Sequence, residues 1–284
     1  MFKNIISADE LNKNIRNKNW VIVDARFDLK QTMAGYAAYQ KGHIPNAVYA
    51  HLDRELSGEV QAQSGRHPLP DPEKLIALLN QWGLDQNAQL VVYDDSQGAI
   101  AARLWWLLKW LGHENVAVLD GGLSAWQKRG YALSTVVPEP RKGVCGLNPH
   151  NIQRSDVVST DDIYKNITMK KMLLLDARAA ERYRGEVEPI DPQKGHIPNA
   201  INYPFSRNLD ENGNFLPAAE LRQRYETIIQ NTPADKIVCM CGSGVTACHN
   251  ILAMSVAGLD GAKLYAGSWS EWIRDAQRPI ATGE

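Results

Sequence analysis

A charge excess of either sign is missing from this sequence. Thirty-one Lys and Arg stand against 32 Asp and Glu in 284 residues, a formal net charge of −1. That balance leaves no basic footprint for nucleic acid or for an anionic membrane surface. Long apolar runs are also missing, since none approaches the roughly 20 residues needed to span a bilayer. The opening residues, Met-Phe-Lys-Asn-Ile-Ile-Ser-Ala-Asp-Glu, carry neither the long apolar stretch nor the small-residue cleavage site of a secretion signal. Cysteine is scarce: Cys145, Cys239, Cys241 and Cys248 are too few for a disulfide scaffold, and three of them fall within ten positions. Such clustering favours chemistry or metal over stapling. What is present is an ordinary core-forming composition, 44% hydrophobic and 22% charged, which argues against disorder. The expectation is a soluble, cytoplasmic protein without nucleic-acid or membrane partners, long enough for two domains of roughly 140 residues each.

The chain repeats itself. Val21-Ile-Val-Asp-Ala-Arg26 returns as Leu173-Leu-Leu-Asp-Ala-Arg178, and Gly42-His-Ile-Pro-Asn-Ala47 returns unchanged as Gly195-His-Ile-Pro-Asn-Ala200. Gly121-Gly-Leu-Ser-Ala-Trp126 answers Gly267-Ser-Trp-Ser-Glu-Trp272. The separations of Asp24 from Asp176, Gly42 from Gly195 and Gly121 from Gly267 are 152, 153 and 146 residues. Near-constant separation over most of the chain indicates a tandem duplication.

Within each copy, short apolar runs alternate with stretches of helical spacing. Val21–Val23, Ala47–Tyr49, Leu90–Tyr93 and Val116–Leu119 read as buried strands, with helices over Pro72–Trp82 and Ala99–Leu111. The second copy offers strands at Met172–Leu175, Ala200–Tyr203, Lys236–Met240 and Lys263–Tyr265, and helices over Ala218–Gln230 and Val245–Ala257. This alternation implies an α/β fold, each copy a mainly parallel sheet flanked by helices. Pro138, Pro140, Gly143, Gly146 and Pro149 mark the linker, giving domains at 1–137 and 156–284 joined by 138–155.

Chemistry concentrates in Lys236-Ile-Val-Cys-Met-Cys241-Gly-Ser-Gly-Val-Thr246-Ala. An apolar strand ends at Met240 and helical sequence resumes near Val245, so Cys241 opens a turn beyond the carboxyl end of a strand, where ligands of open α/β sheets bind. Gly242 and Gly244 let the turn curl and aim backbone N–H groups inward as an anion nest. The following helix adds its positive end. Both effects favour a thiolate nucleophile. A cysteine that merely packs is the plain alternative, and the strand–Cys-Gly-x-Gly–helix context argues against it.

Two copies of Asp-Ala-Arg, two of Gly-His-Ile-Pro, and Cys-Gly-Ser-Gly-Val-Thr in the second copy alone resemble the tandem rhodanese-superfamily sulfurtransferases. The resemblance covers nearly the whole chain. It implies two rhodanese-like domains, the first non-catalytic, and a persulfide formed on Cys241. The loop is similar to that of the 3-mercaptopyruvate sulfurtransferases, whereas thiosulfate-using rhodaneses typically carry basic residues where this chain has Gly242 and Ser243. Laid over the second copy at a separation of 146 residues, Asp95 stands opposite Cys241, a carboxylate that cannot accept sulfane sulfur. Ser96 and Gln97 likewise replace Gly242 and Ser243.

From the same resemblance Arg182 binds substrate, its guanidinium able to clamp a carboxylate through two parallel hydrogen bonds. Gly242, Gly244, Val245 and Thr246 form the rest of the substrate-binding loop. Related mercaptopyruvate enzymes often have a second arginine after Glu-Pro; here Glu188-Pro189 is followed by Ile190, leaving one clamp with Lys194 as a possible helper. Asp53 and His67 fall where family members place polar residues reaching toward the cysteine. A Ser243–His67–Asp53 relay would protonate the departing enolate or polarise the donor, since histidine titrates near neutrality. A loop histidine and an exposed aspartate without function are the alternative. His43 and His196 recur in both copies and read as structural.

Metal fits poorly: Cys239, Cys241, Cys248 and His249 lack paired Cys-x-x-Cys spacing. A Cys241–Cys248 disulfide would have to close about 10 Å along a helix axis. The run Leu104-Trp-Trp-Leu-Leu-Lys-Trp110, with Trp126, Trp269 and Trp272, has the spacing of packed aromatics. The expected reaction needs no cofactor and no metal. It takes a small-molecule sulfur donor and passes sulfur to a thiol, cyanide or a thioredoxin-like acceptor. Thiosulfate is the rival donor, and a non-catalytic persulfide carrier the rival role. A cysteine phosphatase would need arginine at 247, where the sequence has Ala247.

Overall fold

The computed structural model describes residues 1–139 and 141–284; Pro140, one of the linker residues, lies outside the described residues. The chain forms two compact units. The first comprises Met1–Gly58, Pro70–Gln153 and Glu211–Asn214; the second comprises Glu59–Leu69, Arg154–Asp210 and Phe215–Glu284. Each unit therefore takes in a short segment from the other half of the sequence, which a division at the linker alone does not anticipate.

The first unit runs β1 (Ile5–Ile6), α1 (Ala8–Asn14), β2 (Trp20–Asp24), α2 (Ala34–Lys41), β3 (Ala47–Tyr49), α3 (Pro72–Gln81), β4 (Gln89–Tyr93), α4 (Ala101–Trp110), β5 (Val116–Leu119) and α5 (Gly122–Lys128). Its sheet has the order β1-β5-β4-β2-β3 with every pairing parallel. β2 and β4 are buried along their whole length, as parallel strands covered on both faces must be. Helix α3 starts where Asp71 accepts from the Glu73 and Lys74 N–H groups and Pro72 presets the first turn.

The second unit runs α6 (Thr160–Met169), β6 (Leu173–Asp176), α7 (Ala180–Tyr183), β7 (Ile201–Asn202), α8 (Ala218–Ile229), β8 (Ile237–Met240), α9 (Ala247–Val256), β9 (Lys263–Leu264) and α10 (Ser268–Trp272). Its sheet order is β7-β6-β8-β9, again all parallel. A capping box between Ser159 and Asp162 sets the start of α6. The first core gathers Trp20, Ile22, Val91, Tyr93 and Trp126, and the second Leu174, Val238, Met240, Trp269 and Trp272. The tryptophan-rich run is the body of α4, buried throughout except at the half-buried Lys109.

Both repeated motifs have one structural cause. Asp24 binds the Arg26 guanidinium, which also donates to Gly42 O; Asp176, Arg178 and Gly195 O form the same clasp. His43 Nδ1 faces Tyr39 O and its ring stacks on Tyr39 at 4.0 Å; His196 Nδ1 faces Tyr183 O and stacks on Tyr183 at 3.7 Å. Paired buried charges that also bond a backbone carbonyl hold the turn after each glycine in one geometry.

The segment read as a linker is tied to the first unit: Gly143 N–H donates to Asn80 O, Cys145 N–H to Asn80 Oδ1, and Gln153 N–H to Trp110 O. Cys145 is buried there. Among the described residues no helix is long and apolar enough to cross a membrane, and no group of His, Cys, Asp and Glu side chains could hold a metal ion.

Candidate active site

β8 is an apolar, fully buried strand, and its last residue pairs in register with Asp176 at the end of β6. Cys241 is the next residue, so the fold delivers its thiol to the carboxyl edge of the central strands. The loop spans 241–246 and α9 begins at Ala247, two residues later than the helical spacing suggests. Three bonds pin it to the start of α10: Cys241 N–H donates to Ser268 Oγ at 3.1 Å, Trp269 N–H to Cys241 O at 3.0 Å, and Ser270 N–H to Gly242 O at 2.8 Å. Gly244 sits at φ +74°, where a Cβ would come within 2.4 Å of Ala266 O; only glycine fits that turn. Cys241 itself is 2% exposed.

The first unit carries the corresponding loop. β4 ends at Tyr93, paired with Asp24 as Met240 is paired with Asp176, so the residue matching Cys241 is Asp94. Asp95 is therefore the wrong partner for Cys241. The loop before α4 is one residue longer than the loop before α9, and a separation counted from Gly121 and Gly267 misses that residue. Asp94 O accepts from Leu123 N–H as Cys241 O accepts from Trp269 N–H. The Asp94 carboxylate, fully buried, receives the N–H groups of Ser96, Gly98, Ile100 and Ala101 at 2.8–2.9 Å. Burial pushes this carboxyl up, and although those four donors pull it down, the group stays above its ordinary range. The corresponding loop of the copy that lacks the thiol is thus an anion nest filled by its own carboxylate.

Ser243 and His67 meet. His67 Nδ1 lies 2.7 Å from Ser243 Oγ, with both residues buried. His67 belongs to the Glu59–Leu69 segment that packs in the second unit. That segment is anchored by Arg66 N–H to Ser270 Oγ and by Arg274 Nε to Ser64 O. Asp53 lies in the first unit, exposed on the turn after β3, with its N–H on His51 Nδ1.

Arg182, on α7, reaches the loop: its Nη2 and Nη1 lie 3.7 and 3.8 Å from the point where a Cβ on Gly242 would sit. Glu188 holds it through Nη2 at 2.7 Å and Nε at 3.1 Å, and Asp191 through Nη2 at 3.3 Å. Burial pushes the Glu188 carboxyl up, but Arg182 and the Asp191 and Ile190 N–H groups outweigh it and leave the group below its usual range. Ile190 contributes its N–H to Glu188, and its side chain is exposed. Lys194 is turned elsewhere, donating to Glu186 O. Arg178 stands over the Trp269 ring at 4.8 Å. Burial lowers the Arg178 guanidinium, but Asp176, Glu188 and Cys241 together outweigh it and leave it raised.

Arg66 had no signal in the sequence. Its Nη2 is 3.3 Å from the same Gly242 Cβ point and its Nη1 binds Asp191, a contact made across 125 residues of chain. Cys248 Sγ donates to Gly244 O at 3.3 Å. All four cysteines are free thiols, and burial beside Cys248 and Cys241 pushes the Cys239 thiol well up. Cys239 thus packs as an inert thiol.

Residues 7–129 and 159–275 both match the rhodanese-like domain family. A probable 3-mercaptopyruvate sulfurtransferase of Pseudomonas aeruginosa is 46% identical over 99% of this chain and 98% of its own. A putative thiosulfate sulfurtransferase of Mycobacterium tuberculosis is 39% identical over 98% and 97%. Among solved structures, 3-mercaptopyruvate sulfurtransferase from Leishmania major superposes with a TM-score of 0.83 at 31% identity, over 95% of this chain and 74% of that one. The chain belongs to the rhodanese-like family, as a sulfurtransferase carrying two copies of the domain in tandem.

Proposed function

We propose that the protein moves sulfane sulfur from 3-mercaptopyruvate, through a persulfide on Cys241, to a thiol, cyanide or a thioredoxin-like acceptor in the cytoplasm. The observation that carries this reading is the juxtaposition at one loop of the Cys241 thiol, two guanidiniums over Gly242 and the Ser243–His67 pair.

The Cys241 thiolate attacks the sulfur of the donor, the S–S bond forms, and the C3–S bond breaks with its electron pair passing to the enolate of pyruvate. The donor's thiol proton ends on C3 of pyruvate, so the enzyme keeps one sulfur atom and nothing else. Ser243 and His67 are suited to carry that proton, because the hydroxyl and imidazole already share a hydrogen bond. Asp53 is retained as the relay's carboxylate, a role read from the sequence. Arg182 takes the donor carboxylate, and Gly242, Gly244, Val245 and Thr246 surround the sulfur with backbone dipoles, as the Asp94 nest illustrates. In the second step the acceptor attacks the outer sulfur and the Cys241 thiolate leaves.

A thiosulfate donor is the second reading, favoured by the two guanidiniums beside Gly242, which bring cationic charge to the loop from outside it. Steady-state transfer to cyanide with each donor separates the two. The expected result is a kcat/KM for 3-mercaptopyruvate about a hundredfold above that for thiosulfate, or roughly 2.7 kcal/mol of transition-state discrimination. A preference for thiosulfate reverses the donor assignment.

A further inference from the structure

We infer that Arg66 is the second arm of the donor-carboxylate clamp, supplied by the Glu59–Leu69 segment in place of the cation missing at Ile190. The inference rests on the reading that Cys241 takes sulfur from 3-mercaptopyruvate, and it narrows the donor class to 2-oxo acids whose carboxylate is gripped by two guanidiniums.

Three observations carry it. Arg66 and Arg182 converge on one point: Nη2 of each lies within 3.3 and 3.7 Å of the position a Gly242 Cβ would take. Asp191 binds both, through Arg66 Nη1 and Arg182 Nη2, which sets the two guanidiniums side by side. Their remaining capacity differs. Arg182 spends Nε and Nη2 on Glu188 and Asp191, whereas Arg66 Nε is buried with no hydrogen-bond partner. A buried donor without an acceptor is costly unless a ligand completes it. A carboxylate placed beside Gly242 would do so, with the charge-assisted geometry that guanidinium favours.

The segment is built to hold Arg66 there. Gly65 approaches the start of α10 so closely that a Cβ would fall 2.6 Å from Gly267 O. Arg66 N–H donates to Ser270 Oγ, and the next residue, His67, binds Ser243. Gly65-Arg66-His67 therefore brings a carboxylate anchor and a proton carrier to the loop on one rigid stretch.

The test compares 3-mercaptopyruvate with 1-mercaptopropan-2-one, in which a methyl group replaces the carboxylate, for wild type, Arg66→Ala and Arg66→Lys. Arg66→Ala is expected to lose about thirtyfold more kcat/KM with the carboxylate donor than with the methyl ketone, chiefly through KM. Arg66→Lys should recover only part of that difference, because an ammonium cannot form the two-pronged contact. Equal losses on both donors would mean that Arg66 only positions His67 or the loop, and would overturn the inference. An unchanged KM for 3-mercaptopyruvate would overturn it as well. Wild type that takes sulfur from neither donor would overturn the functional reading itself, and this inference with it.

Discussion

Cys241→Ser is expected to reduce sulfur transfer by about four orders of magnitude or more while leaving the fold intact. The prediction follows from what the rest of residue 241 does. Its N–H is held by Ser268 Oγ and its carbonyl by Trp269 N–H, and neither bond involves the side chain. Serine keeps the backbone, the size and the buried position, so the melting temperature should move by no more than about 2 °C. A hydroxyl cannot hold a sulfane sulfur as a persulfide does, so nothing remains to carry the transferred atom. Cys239 cannot replace it: that thiol lies within β8, fully buried, and is pushed well up by burial and by its cysteine neighbours. Steady-state assays with 3-mercaptopyruvate and cyanide, alongside thermal melts, check both halves. Retention of more than about a hundredth of wild-type activity would remove Cys241 from the centre of the chemistry.

The second large effect is expected far from any sulfur. Asp94→Ala removes the one carboxylate on which three buried backbone N–H groups and the half-buried N–H of Ser96 converge. Orphaned buried donors each cost about 1–3 kcal/mol, and water entering the space left by the side chain recovers part of that. A net loss of about 3–5 kcal/mol is the expected outcome, enough to lower the melting temperature of the first unit by roughly 10 °C or more. Asp94→Asn keeps one acceptor oxygen and should lose less, with its amide nitrogen now facing N–H groups. Differential scanning calorimetry resolves the two cases. A melt of Asp94→Ala within about 2 °C of wild type would show that the nest does not need an anion.

The same pair of loops shows how far sequence reasoning reaches. The repeated Asp-Ala-Arg and Gly-His-Ile-Pro are legible because a single clasp, Asp24–Arg26–Gly42 O and its counterpart Asp176–Arg178–Gly195 O, demands the same letters twice. Parallel strands are legible as apolar runs because both faces are covered, as in β2 and β4. The sequence separation puts the partner of Cys241 one position off, since a one-residue difference in loop length between β4–α4 and β8–α9 leaves no mark in the letters. Asp94 and Asp95 are both aspartates, and only strand register tells them apart.

Arg66 was illegible for a different reason. Its role depends on the Glu59–Leu69 segment packing in the second unit, and a contact such as Arg66–Asp191 is decided by tertiary structure rather than by local pattern. His67 escaped that difficulty only because family resemblance marked it. The short helices α5, α7 and α10 are seven residues or fewer, too short to show a helical period. Yet α10 carries Ser268 and Ser270, which fix the loop and the Arg66 backbone.

The central claim is tested most directly by one single-turnover experiment. Reduced enzyme is mixed with one equivalent of 3-mercaptopyruvate and no acceptor, pyruvate is followed in time, and the protein is then analysed by intact and peptide mass spectrometry. The expected result is a burst of one pyruvate per chain, a mass increase of one sulfur atom, and that sulfur on the peptide containing Cys241. Pyruvate release without added mass, or sulfur found on Cys145, Cys239 or Cys248 instead, would contradict the account.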